Sequence, residues 1–177
     1  RNLLDGSEVI YPLASWELSS SPVPERFHLA TDAKRMAFLN DDRVTSIDLS
    51  TGASSTRDID QSGTSVDRIA VSKDGRIGIA VIERSKPGIW DPASDRTVVL
   101  EEVQSWVRSL AFSPDGRHLA LGLQDSTVRV LDVDSLSFVA VGRGHTHAVT
   151  DLAYSPDGKR IATVSLDRTV RQWDAQT

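Results

Sequence analysis

The segment Leu152–Lys159 decides the fold because it occurs more than once. It reads Leu-Ala-Tyr-Ser-Pro-Asp-Gly-Lys, and residues 110–117 read Leu-Ala-Phe-Ser-Pro-Asp-Gly-Arg. A third copy at 69–76 reads Ile-Ala-Val-Ser-Lys-Asp-Gly-Arg, and a diverged fourth copy occupies 27–34. Similarity at a fixed period is the signature of a repeat protein. The chain is therefore expected to be an array of similar structural units.

A large apolar residue followed by aspartate marks the period of the repeat. The aspartates of these pairs are Asp5, Asp48, Asp91, Asp132 and Asp174, at spacings of 43, 43, 41 and 42 residues. The markers divide residues 1–177 into four repeats of one domain. The repeats run approximately over 6–48, 49–91, 92–132 and 133–174.

Each repeat contains short alternating runs rich in β-branched residues, which indicates β-strands. The runs of the last repeat are Val149–Tyr154, Arg160–Ser165 and Thr169–Trp173. Ser155–Gly158 between the first two is a tight turn, in which proline presets φ and glycine accepts positive φ. A fourth run follows each apolar–aspartate pair, as at Arg96–Leu100 and Ser137–Val141. The sequence therefore predicts an all-β protein with four antiparallel strands per repeat.

The composition excludes several classes of function. The chain has 177 residues, no cysteine, and 20 basic against 25 acidic residues, a net charge of −5. A zinc or iron–sulfur site with cysteine ligands is impossible, and the mild acidity argues against non-specific nucleic-acid binding. No apolar run approaches the roughly 20 residues that a membrane span needs. The absence of cysteine suits a reducing compartment, and we expect a cytoplasmic location.

At these residues the chain resembles the WD40-repeat family of β-propellers. The resemblance rests on the Ser-Pro-Asp-Gly turns, the Trp-Asp pairs at 90–91 and 173–174, and the dipeptide Gly144-His145. It implies four blades of a ring that has seven or eight. Both chain ends fall at the same phase of the repeat, so we expect the C-terminal part of a larger propeller. The remaining blades would come from another fragment of the same polypeptide or from a second copy.

The resemblance also implies a buried network that joins the Gly-His histidine, a strand hydroxyl, an aspartate of the second turn and the tryptophan. Only the last repeat has the full set, namely His145, Thr163 or Ser165, Asp167 and Trp173. The repeat that ends at Asp132 keeps Asp125 but has Leu131 in place of tryptophan. The repeat that ends at Asp91 keeps Trp90 but has Arg84 in place of the aspartate. These two repeats are expected to rely on apolar packing.

His145 and Asp167 also resemble part of a catalytic triad. The network implied by the resemblance explains the same residues, so we expect no catalytic function and no cofactor. The other histidines, His28, His118 and His147, have no metal-binding spacing, and no metal site is expected. The aspartates of the Ser-Pro-Asp-Gly turns recur with the fold period, which indicates a turn requirement rather than acid–base chemistry.

Trp106 is the strongest candidate for contact with a partner. It aligns with Ala148, just before the first strand of a repeat, and the resemblance places this position on the top face, where WD40 proteins commonly bind partners. Gln104, Gln124, His147 and Leu166 fall at comparable positions. We therefore expect a protein-interaction module, a scaffold, sensor or signalling domain, that binds a protein partner on its top face and binds neither nucleic acid nor membrane.

The alternative is a propeller attached to a hydrolase or peptidase, or a TolB-like propeller. These also use Ser-Pro-Asp-Gly turns and strand-end motifs such as Ile47–Gly52, which reads Ile-Asp-Leu-Ser-Thr-Gly. A Gly-x-Ser-x-Gly elbow in a neighbouring segment would favour the hydrolase. Gly144-His145 together with Trp173-Asp174 favours the WD40 family.

Overall fold

The computed structural model describes residues 26–29, 34–40, 43–58, 66–81 and 86–175. All regular structure in these ranges is β-strand. The predicted Leu4-Asp5 marker and Arg84 lie outside the described residues. No helix in the described part of the chain has the length and apolar character that crossing a membrane requires.

Within the described residues, fifteen strands form four antiparallel sheets, and neighbours in each sheet are neighbours in sequence. Sheet 1 contains β1 (Arg26–Leu29), β2 (Arg35–Asn40), β3 (Arg43–Asp48) and β4 (Ser54–Asp58). Sheet 2 contains β5 (Val66–Val71), β6 (Ile77–Val81), β7 (Gly88–Asp91) and β8 (Arg96–Val99). Sheet 3 contains β9 (Val107–Phe112), β10 (His118–Leu123), β11 (Val128–Asp132) and β12 (Ser137–Gly142). Sheet 4 contains β13 (Val149–Tyr154), β14 (Arg160–Ser165) and β15 (Val170–Asp174) within the described residues. The predicted all-β architecture is confirmed.

The marker aspartates end the third strands because their carboxylates bind the turn that follows. Asp48 Oδ1 accepts hydrogen bonds from the backbone N–H groups of Ser50 at 2.9 Å and Thr51 at 3.2 Å. Asp132 Oδ1 accepts from the backbone of Ser135 at 2.7 Å in the same way. A carboxylate that captures N–H groups two and three residues ahead favours a turn over continued strand. This requirement explains why the aspartate recurs with the period.

The Ser-Pro-Asp-Gly turns use serine and aspartate to close the first hairpin of a sheet. Ser155 Oγ donates to Asp157 Oδ1 at 2.6 Å, and the N–H of Gly158 donates to the Ser155 carbonyl at 2.9 Å. Gly158 has φ of 71°, a conformation that costs glycine little and other residues more. The same bonds form around Ser113 in sheet 3. These aspartates therefore serve the turn.

The four sheets pack face to face in sequence order. Contacts join β1 and β2 to β5, β5 and β6 to β9, and β9 and β10 to β13. Three apolar clusters fill the spaces between successive sheets, and their most buried large side chains include Trp90 and Leu121. The first strand of every sheet thus lies beside the first strand of the next. This arrangement places the loops before the first strands on one common face.

Candidate functional site

Sheet 4 contains a chain of hydrogen bonds that runs from Trp173 to Asp167. Trp173 Nε1 lies 2.8 Å from Thr163 Oγ1, and Thr163 Oγ1 lies 2.8 Å from His145 Nε2. His145 Nδ1 lies 2.8 Å from Asp167 Oδ2. The indole nitrogen can only donate and the carboxylate only accepts, so the proton shared with Asp167 lies on His145 Nδ1, and in the neutral imidazole Nε2 is then the acceptor. Trp173 donates to Thr163, Thr163 donates to His145, and His145 donates to Asp167.

The network is buried, and its carboxylate is held in the ionised form. The Thr163 side chain is 1% exposed, and the His145 ring packs edge-on against Trp173 at 5.9 Å between ring centres. Burial acts to raise the pKa of Asp167. Hydrogen bonds from Thr169, His145 and the backbone N–H of Thr146 outweigh burial and hold that pKa well below its ordinary value. Asp167 is therefore an anion that accepts hydrogen bonds.

Ser165, the alternative to Thr163 in the sequence interpretation, does not enter this chain of hydrogen bonds. Its hydroxyl donates to the carbonyl of His147 at 2.9 Å and accepts from the N–H of Asp167 at 3.1 Å. In β14, Thr163 and Ser165 occupy the same face. Thr163 pairs with Arg171 of β15, two residues from Trp173, whereas Ser165 lies beyond the last residue paired with β15 and closes the turn instead.

Sheet 3 replaces the network with apolar side chains. The positions 42 residues before His145, Thr163 and Trp173 hold Val103, Leu121 and Leu131, which are all buried in one cluster. Asp125, which corresponds to Asp167, accepts from the N–H and the hydroxyl of Thr127 at 3.0 and 2.6 Å. Asp125 therefore still stabilises the turn, although Val103 replaces the histidine at the position that corresponds to His145. The side chains at these three positions are all apolar, so none of them leaves a buried polar group without a partner.

Sheet 2 retains the tryptophan and gives it a different partner. The position that corresponds to Thr163 is Ile79, and Trp90 Nε1 donates instead to Asp95 Oδ1 at 3.1 Å. Arg57 of sheet 1 also binds Asp95 Oδ1, at 2.6 Å. The indole is therefore connected to the neighbouring sheet. No pattern at the repeat period points to Asp95, and the sequence interpretation missed it.

The geometry around His145 favours a structural role. Its two ring nitrogens contact Asp167, Thr163 and Thr169, and no serine hydroxyl among the described residues reaches them. With both nitrogens engaged, the imidazole has no free atom with which to take a proton from a substrate. Among all residues that the structure describes, no group of three histidine or carboxylate side chains is placed to hold a metal ion. We infer that this cluster stabilises sheet 4.

The loops before the first strands and the turns between second and third strands form one surface, here called the top face. In sheets 3 and 4 it comprises residues 100–106, 124–127, 143–148 and 166–169. The N–H of Gln124 donates to the Trp106 carbonyl at 2.9 Å, and the N–H of Leu166 donates to the Ala148 carbonyl at 3.0 Å. The two hydrogen bonds are equivalent. Trp106 and Ala148 therefore occupy the same place in successive sheets.

Trp106 is an exposed indole on an ordered support. Its side chain is 53% exposed, and the Arg108 guanidinium carbon lies 5.6 Å from the ring centre. Arg108 Nε donates to Gln124 Oε1 at 2.7 Å. Trp106 directly precedes β9 and Arg108 is the second residue of that strand, a spacing of two that brings side chains to the same face of an extended segment. The sequence analysis did not select Arg108, although its spacing of two residues from Trp106 indicates that the two side chains are neighbours.

The other predicted contact residues lie on the same face but form no single cluster with Trp106. Gln104 Nε2 donates to the Glu101 carbonyl at 2.8 Å, so its amide is tied to its own loop. His147 is exposed, with Nδ1 3.2 Å from Thr146 Oγ1. Leu166, 63% exposed, is at the tip of the turn in sheet 4. Of the predicted set, Gln124 alone is hydrogen-bonded to Trp106 within the described residues.

Comparison with known families matches the second half of the chain. The family described as "WD domain, G-beta repeat" matches residues 136–174. The family described as "Anaphase-promoting complex subunit 4 WD40 domain" matches residues 88–143. The general transcriptional corepressor TUP1 of Saccharomyces cerevisiae is 40% identical over 40 residues. That alignment covers 23% of this chain and 6% of the corepressor.

A solved structure agrees over a longer range. The β-propeller domain of Cps50 (Swd1) from Myceliophteria thermophila superposes with a TM-score of 0.67 at 15% sequence identity. The superposition covers 84% of this chain and 50% of that chain, so the present chain corresponds to about half of the solved propeller. At this identity the likeness concerns the fold. The family matches in residues 88–174, the corepressor alignment and the superposed β-propeller together support a WD40-repeat β-propeller.

Proposed function

We propose that this chain is a non-catalytic interaction module that binds a protein partner on its top face, with Trp106 as the anchor. The observation that carries the proposal is the exposed indole of Trp106, supported by Arg108 and by the backbone of Gln124. Tryptophan and arginine are the residues most enriched among those that dominate binding energy at interfaces. A supported indole also loses little conformational entropy on binding.

The proposal includes completion of the ring by further blades. Val164 and Val170, paired across β14 and β15, are exposed on the face of sheet 4 that points away from sheet 3. The corresponding pair in sheet 3, Gly122 and Val128, is buried beneath sheet 4. The exposed face thus repeats the positions that receive a neighbouring sheet elsewhere in the array. The remaining blades would come from the same polypeptide or from a second copy of this chain.

Native mass spectrometry followed by denaturation tests this completion. A species near twice 19.3 kDa that releases only this chain supports a ring made of two copies. A complex that releases a second polypeptide supports completion by another fragment. A compact monomer of 19.3 kDa contradicts both. The cytoplasmic location remains a prediction from the cysteine-free composition, which fractionation of the source cells tests.

The contact role of Trp106 is tested by measuring affinity for a purified partner. The partner is captured on the immobilised chain, identified, purified and titrated by calorimetry. Trp106→Ala is expected to weaken binding by about 2 kcal/mol or more, roughly thirtyfold in Kd, because an interface loses its aromatic anchor. Val139→Ala is the matched control, since Val139 is 52% exposed but lies on β12, away from the top face. Equal affinity of the wild type and Trp106→Ala would remove Trp106 from the proposal.

A further inference from the structure

We propose that Trp106, Arg108 and Gln124 recognise an acidic peptide segment in which a carboxylate side chain stands next to an apolar one. The carboxylate would bind Arg108, and the apolar side chain would cover the indole of Trp106. The inference rests on the proposed function and specifies the chemistry of the partner at that site.

Arg108 is held in a fixed orientation by two neighbours. Its Nε donates to Gln124 Oε1 at 2.7 Å, and its guanidinium lies 5.6 Å from the centre of the Trp106 ring. A guanidinium has five N–H donors in one plane, and this hydrogen bond uses only the one on Nε. The two Nη atoms remain as a fork that matches the two oxygens of a carboxylate. Because the plane is already fixed, little side-chain entropy is lost when the fork is used.

The charge of Arg108 has no acidic partner among the described residues. The arginines within 4.0 Å of a carboxylate there are Arg35, Arg43, Arg57, Arg76 and Arg129. Arg129 is the instructive contrast, because it reaches Asp125 at 3.5 Å and the Glu102 carbonyl at 3.4 Å and lies over Phe138. Its two Nη atoms are thus engaged within sheet 3. Arg108 is also half-buried and lies over an aromatic ring, but it donates through Nε to a neutral amide instead of through Nη to a carboxylate.

Gln124 adds a donor beside the fork. Its Oε1 accepts from Arg108, so its Nε2 remains able to donate to a peptide carbonyl or to the incoming carboxylate. Trp106 supplies the apolar contact on the same support. The net charge of the chain is −5, so an acidic segment is not drawn in by long-range attraction. Recognition must come from these short-range contacts, which discriminate glutamate from glutamine.

The test starts from selection of a random peptide display library on the immobilised full chain. Peptides that also bind Trp106→Ala are removed. The survivors are expected to carry aspartate or glutamate beside a large apolar residue. Synthetic copies with glutamine in place of glutamate should bind about tenfold more weakly, as expected for loss of a charge-assisted hydrogen-bonded pair.

Arg108→Gln then assigns the effect to one side chain. This variant should lose about tenfold in affinity for the glutamate peptide and less than about twofold for its glutamine copy. Arg117→Gln, the same change in an exposed turn of sheet 3 outside the top face, is the control and should bind both peptides like the wild type. Circular dichroism and thermal melts verify folding. Gln124→Ala, which frees Arg108, is a second variant expected to lower affinity for the glutamate peptide selectively.

The outcomes separate this inference from the function on which it rests. Selected peptides that need Trp106 but lack acidic residues would overturn the acidic specificity and leave the top-face function standing. Equal losses for the glutamate and glutamine peptides on Arg108→Gln would do the same. Failure to enrich any peptide that depends on Trp106 would count against both.

Discussion

Replacing Thr163 by valine tests the hydrogen-bond chain of sheet 4 with almost no change in shape. The hydroxyl of Thr163 accepts from Trp173 and donates to His145, both at 2.8 Å, and the side chain is 1% exposed. Valine fills the same space with a methyl group. Trp173 and His145 then each keep a buried polar nitrogen with no partner, and water has little access to either.

The magnitude follows from counting these orphaned groups. Each buried donor or acceptor left unsatisfied costs about 1–3 kcal/mol. Two of them, with some relaxation, give a loss of about 3 kcal/mol in the free energy of unfolding for Thr163→Val. Thr163→Ser is the matched control, because serine keeps both hydrogen bonds and loses one methyl group, worth about 1 kcal/mol. Valine should therefore destabilise more than serine, although it is the closer match in volume.

Urea unfolding followed by tryptophan fluorescence measures the loss, and amide hydrogen exchange locates it. The unfolding of a repeat array is not fully cooperative, so the urea curve averages over sheets of different stability. Amide exchange rates in β13, β14 and β15 give the free energy of opening of sheet 4 alone. In a thermal melt, about 3 kcal/mol corresponds to a fall in Tm of roughly 6–12 °C for a chain of this size. If Thr163→Val is as stable as Thr163→Ser, the hydrogen bonds do not stabilise the sheet and the reasoning fails.

Two further predictions concern packing and pH. Gly122→Ala should destabilise by about 1–3 kcal/mol in urea unfolding, because its Cβ would lie 2.5 Å from Ser109 Oγ and 2.9 Å from Val149 Cγ1. Ser109→Ala in the same chain should relieve part of that loss, and an unchanged stability of the single variant would contradict the prediction. The lowered pKa of Asp167 means that its stabilising contribution is complete above the ordinary value of 3.8 and is lost as the pH falls below it. Unfolding free energies measured from about pH 6 to about pH 2.5 should fall less steeply at the acid end for Asp167→Asn than for the wild type; parallel curves would refute this.

Features set by the repeat period were predictable from sequence. β13 and β14 have the predicted limits, and β15 begins at Val170, one residue later than predicted. The shift has a local cause, since the carbonyl of Thr169 accepts from the N–H of Ser165 and closes the turn. Hairpins depend on residues close in sequence, so turn residues and alternation are enough to define them.

Contacts between repeats were not predictable in the same way. Arg57 and Asp95 are 38 residues apart and meet because sheets 1 and 2 pack together. Their positions show no shared pattern, and only the packed structure brings them to Trp90. The support of Trp106 by Arg108 was missed for a related reason, because alternation places both on one face but does not specify that the guanidinium lies over the ring. Side-chain contacts between sheets can be identified only from the three-dimensional structure, whereas strand limits can be predicted from the sequence.

The exchange of a polar network in sheet 4 for apolar side chains in sheet 3 gives two neighbouring units different responses to their surroundings. Apolar burial weakens on cooling, since its heat-capacity signature makes it a poor stabiliser at low temperature. The apolar cluster around Leu121 is therefore expected to weaken more on cooling than the polar network around Thr163. The cluster around Thr163 depends on an ionised carboxylate and is the part most sensitive to acid. Between sheets 3 and 4, we therefore expect cold and acid to loosen different sheets.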